Sequence, residues 1–97
     1  MAHLKFHPDV AAEIRASFIW YEKQSQGLGF DFITELEMAY TAIIELPDTW
    51  PLFHNTIRRF LLTKFPFSVL YQQNNDIIYI VAVMHNSRAP NYWANRS

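Results

Sequence analysis

The most constraining feature of this 97-residue sequence is an uninterrupted apolar run over residues 77–84. The run has no charged or amide side chain that would mark a solvent-facing position, and it is rich in the β-branched residues that favour strands. A strand that is apolar at every position is typical of one covered on both faces. Residues 77–84 are therefore predicted to be the most buried strand of a sheet, and the rest of the chain is expected to cover it.

A shorter apolar run at residues 67–71 precedes this strand and predicts its antiparallel neighbour. The two runs are separated by a polar break that includes Asn74, Asn75 and Asp76, residue types that tolerate the backbone of a tight turn. After residue 84 the sequence becomes polar and aromatic as far as residue 96. Polar groups placed at the end of a rigid strand often form a functional surface.

The first half of the chain predicts a short strand and two helices. Residues 3–6 alternate weakly and predict the strand. Pro8 suits the first turn of a helix that ends around residues 24–27, and Pro47 ends the second helix. The expected buried face of the first helix is Val10, Ile14, Phe18 and Tyr21, widened by Ile19 and Trp20; that of the second is Phe32, Leu36, Ala39 or Tyr40, Ile43 and Leu46.

The region between the second helix and the turn at residues 74–76 predicts a loop and one more strand. Residues 46–55 are expected to be a loop in which Trp50 closes one end of the core. Residues 57–63 predict a strand, which ends at the Phe65-Pro66-Phe67 step. The predicted order is β-α-α-β-β-β, a single α+β domain over residues 1–97 with a helical hairpin on a largely antiparallel sheet.

Composition restricts the classes of function. The chain has no cysteine and no apolar run long enough to span a membrane, so cytoplasmic residence is the simplest expectation. No metal or cofactor is expected. The net charge of -1 hides an asymmetry, because residues 24–57 carry five acidic side chains and no Lys or Arg, whereas residues 58–97 carry five basic side chains and one acidic one. The basic part could meet phosphates or an acidic protein.

Several segments together resemble the RelE/ParE superfamily of toxins from type II toxin–antitoxin modules. They are the helical hairpin, LPDTWP, the Arg58-Arg59 strand, FPFSVLY, the apolar strand and HNSRAPNYW, in that order. The resemblance covers essentially the whole chain. It implies the fold described above, a cytoplasmic growth inhibitor of a plasmid-stabilisation system, and a cognate antitoxin that wraps the toxin. Within the superfamily, RelE-like members cleave messenger RNA on the ribosome, and ParE-like members bind and poison DNA gyrase.

The RelE-like alternative would be a metal-independent endoribonuclease. It requires a base, an acid and cations around the scissile phosphate. The catalytic candidates are His85, Tyr92 and Arg59, with Tyr92 matching the position of the family's C-terminal tyrosine. Ser68 and Asn86 stand where arginines of the nuclease members are expected, and the chain lacks the strong positive charge usual for work on ribosomal RNA.

The ParE-like interpretation is the favoured one, because the His85-x-x-Arg88 ending resembles that branch. The expected antitoxin- or target-binding residues are Arg58, Arg59, Lys64, Arg88, Tyr92, Trp93 and Arg96. Structural roles are open for some of these residues. His85 could cap the strand end, Tyr92 and Trp93 could fold back over the sheet, and Arg58 and Arg59 could be solvated or paired with the acidic helix. A relative that binds its antitoxin without being toxic is a third possibility. The sequence does not give the oligomeric state.

Overall fold

The structure is a computed structural model that describes residues 3–88 and 92–96. Its helices are α1 (Val10–Gln24) and α2 (Leu28–Glu45), followed by a 3-10 helix at Ala94–Arg96. Its strands are β1 (His3–Phe6), β2 (Leu52–His54), β3 (Ile57–Leu61), β4 (Phe67–Asn74) and β5 (Ile77–His85).

The strands form one five-stranded sheet in the order β1-β5-β4-β3-β2. β1 is parallel to β5, and every other neighbouring pair is antiparallel. The predicted α+β fold with a helical hairpin on a largely antiparallel sheet is confirmed. β2 was not predicted from the sequence, and it lies within the loop expected over residues 46–55. A strand of three residues directly after Pro51 is too short to show a period.

The apolar side chains form two clusters, one on each face of the sheet. The larger cluster lies under the helical hairpin, where Phe32 and Ile43 of α2 pack on Tyr71, Ile78 and other strand residues. The smaller cluster lies on the opposite face. It contains Ile57, Leu70, Val81, Ala82, Met84 and Trp93. β5 contributes to both clusters, which confirms that the strand at its centre is covered on both faces.

Three apolar side chains that were predicted to be buried are exposed. Ile19 and Trp20 on α1 and Leu46 at the end of α2 have exposed fractions of 44%, 58% and 60%. The predicted stripes were too wide, because the sheet covers only one side of each helix. Trp50 is half-buried and its ring packs 4.7 Å from that of Phe60, at the margin of the larger cluster.

α2 is tied to the sheet by the carboxylate of Glu35, a residue outside the predicted buried face of this helix. Glu35 accepts hydrogen bonds from the backbone N–H groups of Thr63 and Lys64, with donor–acceptor distances of 2.9 and 2.8 Å. These two N–H groups belong to the turn between β3 and β4. The charge-assisted contacts therefore fix the position of that turn against the helix. Within residues 3–88 and 92–96, no helix is long and apolar enough to cross a membrane.

The two helices approach each other closely at Gly29. A Cβ atom at this position would lie 2.6 Å from the carbonyl oxygen of Phe18 in α1, a distance that backbone atoms do not tolerate. Only a residue without a side chain lets the second helix begin so near the first. Gly27, which precedes α2, has a left-handed φ of 89°, which also favours glycine.

We expect Gly29→Ala to destabilise the protein by about 1–3 kcal/mol, the usual cost of overpacking. In an exposed helix the same change would be stabilising by up to about 1 kcal/mol. A loss of stability would therefore be evidence that the two helices are in close contact at Gly29. The control is Thr34→Ala on the exposed side of α2, which should be near neutral. Urea unfolding of both variants measures the difference, and a stabilised Gly29→Ala protein would contradict the close approach.

Candidate functional site

Arg58 and Arg59 point to opposite faces of the sheet, as adjacent strand residues must. Arg58 faces the side of the helices, where its guanidinium donates to the carbonyl oxygen of Trp50 at 2.7 Å and lies 3.9 Å from the carboxylate of Asp48. It holds the loop that follows α2. The predicted pairing with an acidic residue is therefore found for Arg58, although the partner lies just beyond the helix.

Arg59 lies on the other face, in a polar cluster with Ser68 and Asn86. Its Nε–H donates to Ser68 Oγ at 2.9 Å, and its Nη2 lies 3.4 Å from Asn86 Oδ1. The hydroxyl of Ser68 donates in turn to the same Asn86 oxygen. The guanidinium also lies over the ring of Phe53, 4.7 Å from its centre. The two positions at which nuclease arginines were expected are thus occupied by the residues that orient Arg59.

Lys64 lies apart from Arg59. It lines a groove of about 510 Å³ between α2 and the end of β3, together with Asp31, Glu35 and Met38. Acidic side chains from α2 share this groove, so the positive charge of Lys64 is in mixed surroundings. The structure does not bring Lys64 into one patch with Arg59 and Arg88.

His85 ends β5 on the face that carries the helices. Its ring packs edge-on against Phe67 at 5.1 Å, and its Nδ1 accepts from the backbone N–H of Ser87 at 3.1 Å. The ring also lines an apolar groove of about 520 Å³ with Trp20 and Tyr21 of α1. The local contact with Ser87 fits the strand-capping role that was left open. The sheet separates this ring from the guanidinium of Arg59.

Trp93 was expected to be an exposed binding anchor, and this expectation is wrong. Its side chain is 1% exposed and completes the smaller apolar cluster. The rings of Phe53 and His54 pack against it with centroid distances of 5.7 and 5.4 Å. The indole covers sheet surface that no helix reaches, which is the alternative role considered for it.

Tyr92 lies between two arginines. The guanidinium of Arg88 is 3.9 Å from the centre of its ring and that of Arg96 is 5.0 Å from it. Burial, followed by the negative charge of Glu13, raises the pKa of Tyr92 to about 12. The shift disfavours the tyrosinate form, which makes Tyr92 a poor candidate for a general base. Arg88 itself is exposed.

Arg96 was expected to be a binding anchor, but its side chain is only 11% exposed and is held by an ion pair. It contacts the carboxylate of Glu13 in α1 at 2.8 Å and the carbonyl oxygen of Val81 at 3.3 Å. The other carboxylate oxygen of Glu13 accepts from the N–H of Val83 at 3.1 Å. Arg96 and Glu13 thus serve the structure and not an external partner.

This ion pair occupies a gap in the sheet. β1 covers β5 only as far as Ile80, and the pairing of β4 with β5 slips so that Val81 has no opposite residue. Backbone groups just beyond Ile80 need other partners, and Glu13 and Arg96 provide them. Glu13 lies in the first turn of α1. Nothing in the sequence indicates its contact with β5, since 70 residues separate the two.

The structure therefore divides the predicted site residues. Arg59, with Asn86, and Arg88 lie at the carboxyl end of β5, and Tyr92 packs beside Arg88. Trp93 and Arg96 are buried behind them, whereas Arg58, Lys64 and His85 face the side of the helices. Among residues 3–88 and 92–96, no group of three or more His, Cys, Asp or Glu side chains is arranged to hold a metal ion.

No family model matches this sequence, and no curated relative matches it. The fold is similar to that of a solved structure described as "Chromosomal ParDE TA system from P. aeruginosa", with a TM-score of 0.69. The two chains are 17% identical, and the match covers 88% of this chain and 96% of the other. The RelE/ParE-like fold that the resemblance implied is thereby confirmed over nearly the whole of both chains.

We expect the contact between Glu13 and Arg96 to be strongly coupled. Glu13→Gln and Arg96→Met should each lower the free energy of unfolding by about 3 kcal/mol, because each removes the nearest opposite charge from a mostly buried partner. Asp9 also lies 3.6 Å from Arg96, but its side chain is exposed and compensates little. The double variant should cost at least about 1 kcal/mol less than the sum. Urea unfolding of the four proteins gives the coupling, with the exposed Glu45→Gln as a near-neutral control. Additive costs would show that the two side chains do not act together.

Proposed function

We propose that this chain is the toxin subunit of a type II toxin–antitoxin system, acts in the cytoplasm and is held inactive by a cognate antitoxin. The observation that carries the proposal is the fold shared with a chain from a ParDE system, a likeness that covers 88% of this chain and 96% of the other. The proposal includes growth inhibition and a role in plasmid stabilisation.

The proposed contact surface consists of Arg59, Asn86, Arg88 and Tyr92, and we refer to it as the basic strand end. Arg88 is exposed, and its guanidinium is held over an aromatic ring, an arrangement that lowers the entropy lost on binding. Arginine and tyrosine are the residue types that carry most of the energy in protein interfaces. An antitoxin segment rich in Asp and Glu would complement this surface.

DNA gyrase is the proposed target, and ribosome-dependent cleavage of messenger RNA is the alternative. Cleavage would need His85, Arg59 and Tyr92 around one phosphate. The sheet separates His85 from Arg59, and the burial that raises the pKa of Tyr92 makes this phenol a poor general base. These observations favour action by contact. Of the two branches, the ParE-like one is also that of the structural neighbour.

Induced expression in a bacterial host should arrest growth, and the purified protein should inhibit supercoiling by purified gyrase. We expect Arg88→Gln to reduce this inhibition about tenfold or more, because truncating an interface arginine typically costs over 1 kcal/mol. Its thermal stability should be unchanged, since the side chain is exposed. Trp93→Ala is unsuitable for this purpose, because removing a buried indole costs about 3–5 kcal/mol.

Arg15→Gln is the matched control, an exposed arginine on α1 outside the basic strand end, and it should inhibit like the unmodified protein. If gyrase still supercoils DNA normally in the presence of the protein, and messenger RNA is cut in a translation extract, the target is the ribosome and not gyrase. Normal growth and no effect in either assay would leave a relative that binds its antitoxin without toxicity, and the proposal of a toxin would then be wrong.

A further inference from the structure

The groove beside Arg59 has a composition that the proposed toxin role does not explain. It measures about 300 Å³ and is lined by Trp50, Pro51, Leu52, Phe53, Arg59 and Leu61. Leu52 and Leu61 are exposed at 60% and 55%. Arg59 is the one charged residue of this lining, so a single cation lies among apolar and aromatic side chains at the β2 edge of the sheet.

The guanidinium of Arg59 is fixed before any partner arrives. Ser68, which is 0% exposed, accepts from Nε, Asn86 lies beside Nη2, and Phe53 supports the plane of the group from one side. The backbone N–H of Arg59 also donates to the carbonyl oxygen of Pro51 at 3.1 Å, which holds β2 and the groove wall in place. Much of the rotamer entropy of a long side chain is thus lost on folding and not on binding.

The positive charge of Arg59 is not neutralised by the described part of the chain. Across residues 3–88 and 92–96, no carboxylate lies within 4 Å of its nitrogen atoms, and Nη1 has no hydrogen-bond acceptor. Its two bonds to neutral oxygens orient the group but leave the charge in place. A carboxylate that approaches Nη1 and Nη2 could accept the paired hydrogen bonds that arginine offers.

A carboxylate fits this groove better than a nucleic acid does. Binding to a phosphate backbone relies on several cations in a row. The other basic residues lie outside the lining of this groove: Arg58 is held against the loop after α2, Lys64 lies beside α2, and Arg88 stacks on Tyr92. The exposed side chains of Leu52 and Leu61 are instead suited to contact apolar residues of a partner protein that flank one acidic side chain.

We propose that the Arg59 groove binds an Asp or Glu side chain flanked by apolar residues of a partner protein. The carboxylate pairs with Nη1 and Nη2 of Arg59, and the flanking side chains pack on Leu52 and Leu61. Ser68 and Asn86 are positioning residues, since they act only through Arg59. The inference rests on the proposed function for the source of the segment, which is the antitoxin, but the subsite itself is defined by its chemistry.

The test uses the full-length protein labelled with ¹⁵N and two synthetic peptides, acetyl-Leu-Glu-Leu-amide and acetyl-Leu-Gln-Leu-amide. Titrations are followed by NMR at the Nε–H signal of Arg59 and at the backbone signals of β2 and β3. The Glu peptide should shift these signals and bind about tenfold more tightly than the Gln peptide, as expected for a charge-assisted pair.

Variants distinguish the contribution of the positive charge of Arg59 from that of the orientation of its guanidinium. Arg59→Gln should abolish the difference between the two peptides, and Arg59→Lys should restore only part of it, because an ammonium group cannot form the paired contact. Ser68→Ala should shift the Nε–H signal and weaken binding of the Glu peptide about fivefold. Asn86→Ala is a second positioning variant in case the buried Ser68 position tolerates no change. Arg15→Gln should bind both peptides like the unmodified protein.

Equal binding of the two peptides, or shifts confined to other parts of the sheet, would overturn the proposal. Tighter binding of a hexathymidylate at the same signals would assign the groove to nucleic acid and would also overturn it. The titrations are independent of toxicity. Growth arrest without a preference for Glu would refute only the subsite, whereas a preference for Glu without growth arrest would refute only the toxin role.

Discussion

The structure depends on covering β5 from both sides. Its side chains contribute to two apolar clusters, one on each face of the sheet, and a different part of the chain shields each cluster from water. The helical hairpin covers one face, and Trp93 covers much of the other. Since burial of apolar surface is the main source of stability in a domain of this size, both covers are needed for the fold. Trp93, near the C-terminus, therefore has a structural role in addition to any functional role of this region.

This requirement explains how the polar groups at the carboxyl end of the sheet are arranged. Arg96 is used internally, where it joins Glu13 in filling the gap left by β1 at the edge of β5. Arg88 and Arg96 both lie over the ring of Tyr92, but Arg88 is on its outer side and keeps its charge in solvent. Two arginines that look equivalent in sequence thus have opposite roles, one in stability and one available for contact. Arg58 and Arg59 divide in the same way, because adjacent residues of a strand face opposite sides.

The sequence predicted the elements well where a periodic or continuous apolar pattern was present. β1, α1, α2, β4 and β5 all lie close to their expected positions, because these patterns report local burial directly. The site was predicted less well. The burial of Trp93 depends on which surface the chain returns to after β5, and an aromatic residue in a polar stretch is equally consistent with an anchor and with a cover. Glu13 and Ser68 were overlooked as partners, because their contacts join segments that are distant in sequence.

The central claim is that the face opposite the helical hairpin meets partner proteins, whereas the hairpin stabilises the sheet. The most direct measurement is hydrogen–deuterium exchange of this protein, alone and bound to the antitoxin proposed as its partner. The account predicts protection of β2, β3 and residues 86–88 on binding, with the protection at β3 reduced in Arg59→Gln. Protection confined to the outer surfaces of α1 and α2, with β3 and residues 86–88 unchanged, would contradict it.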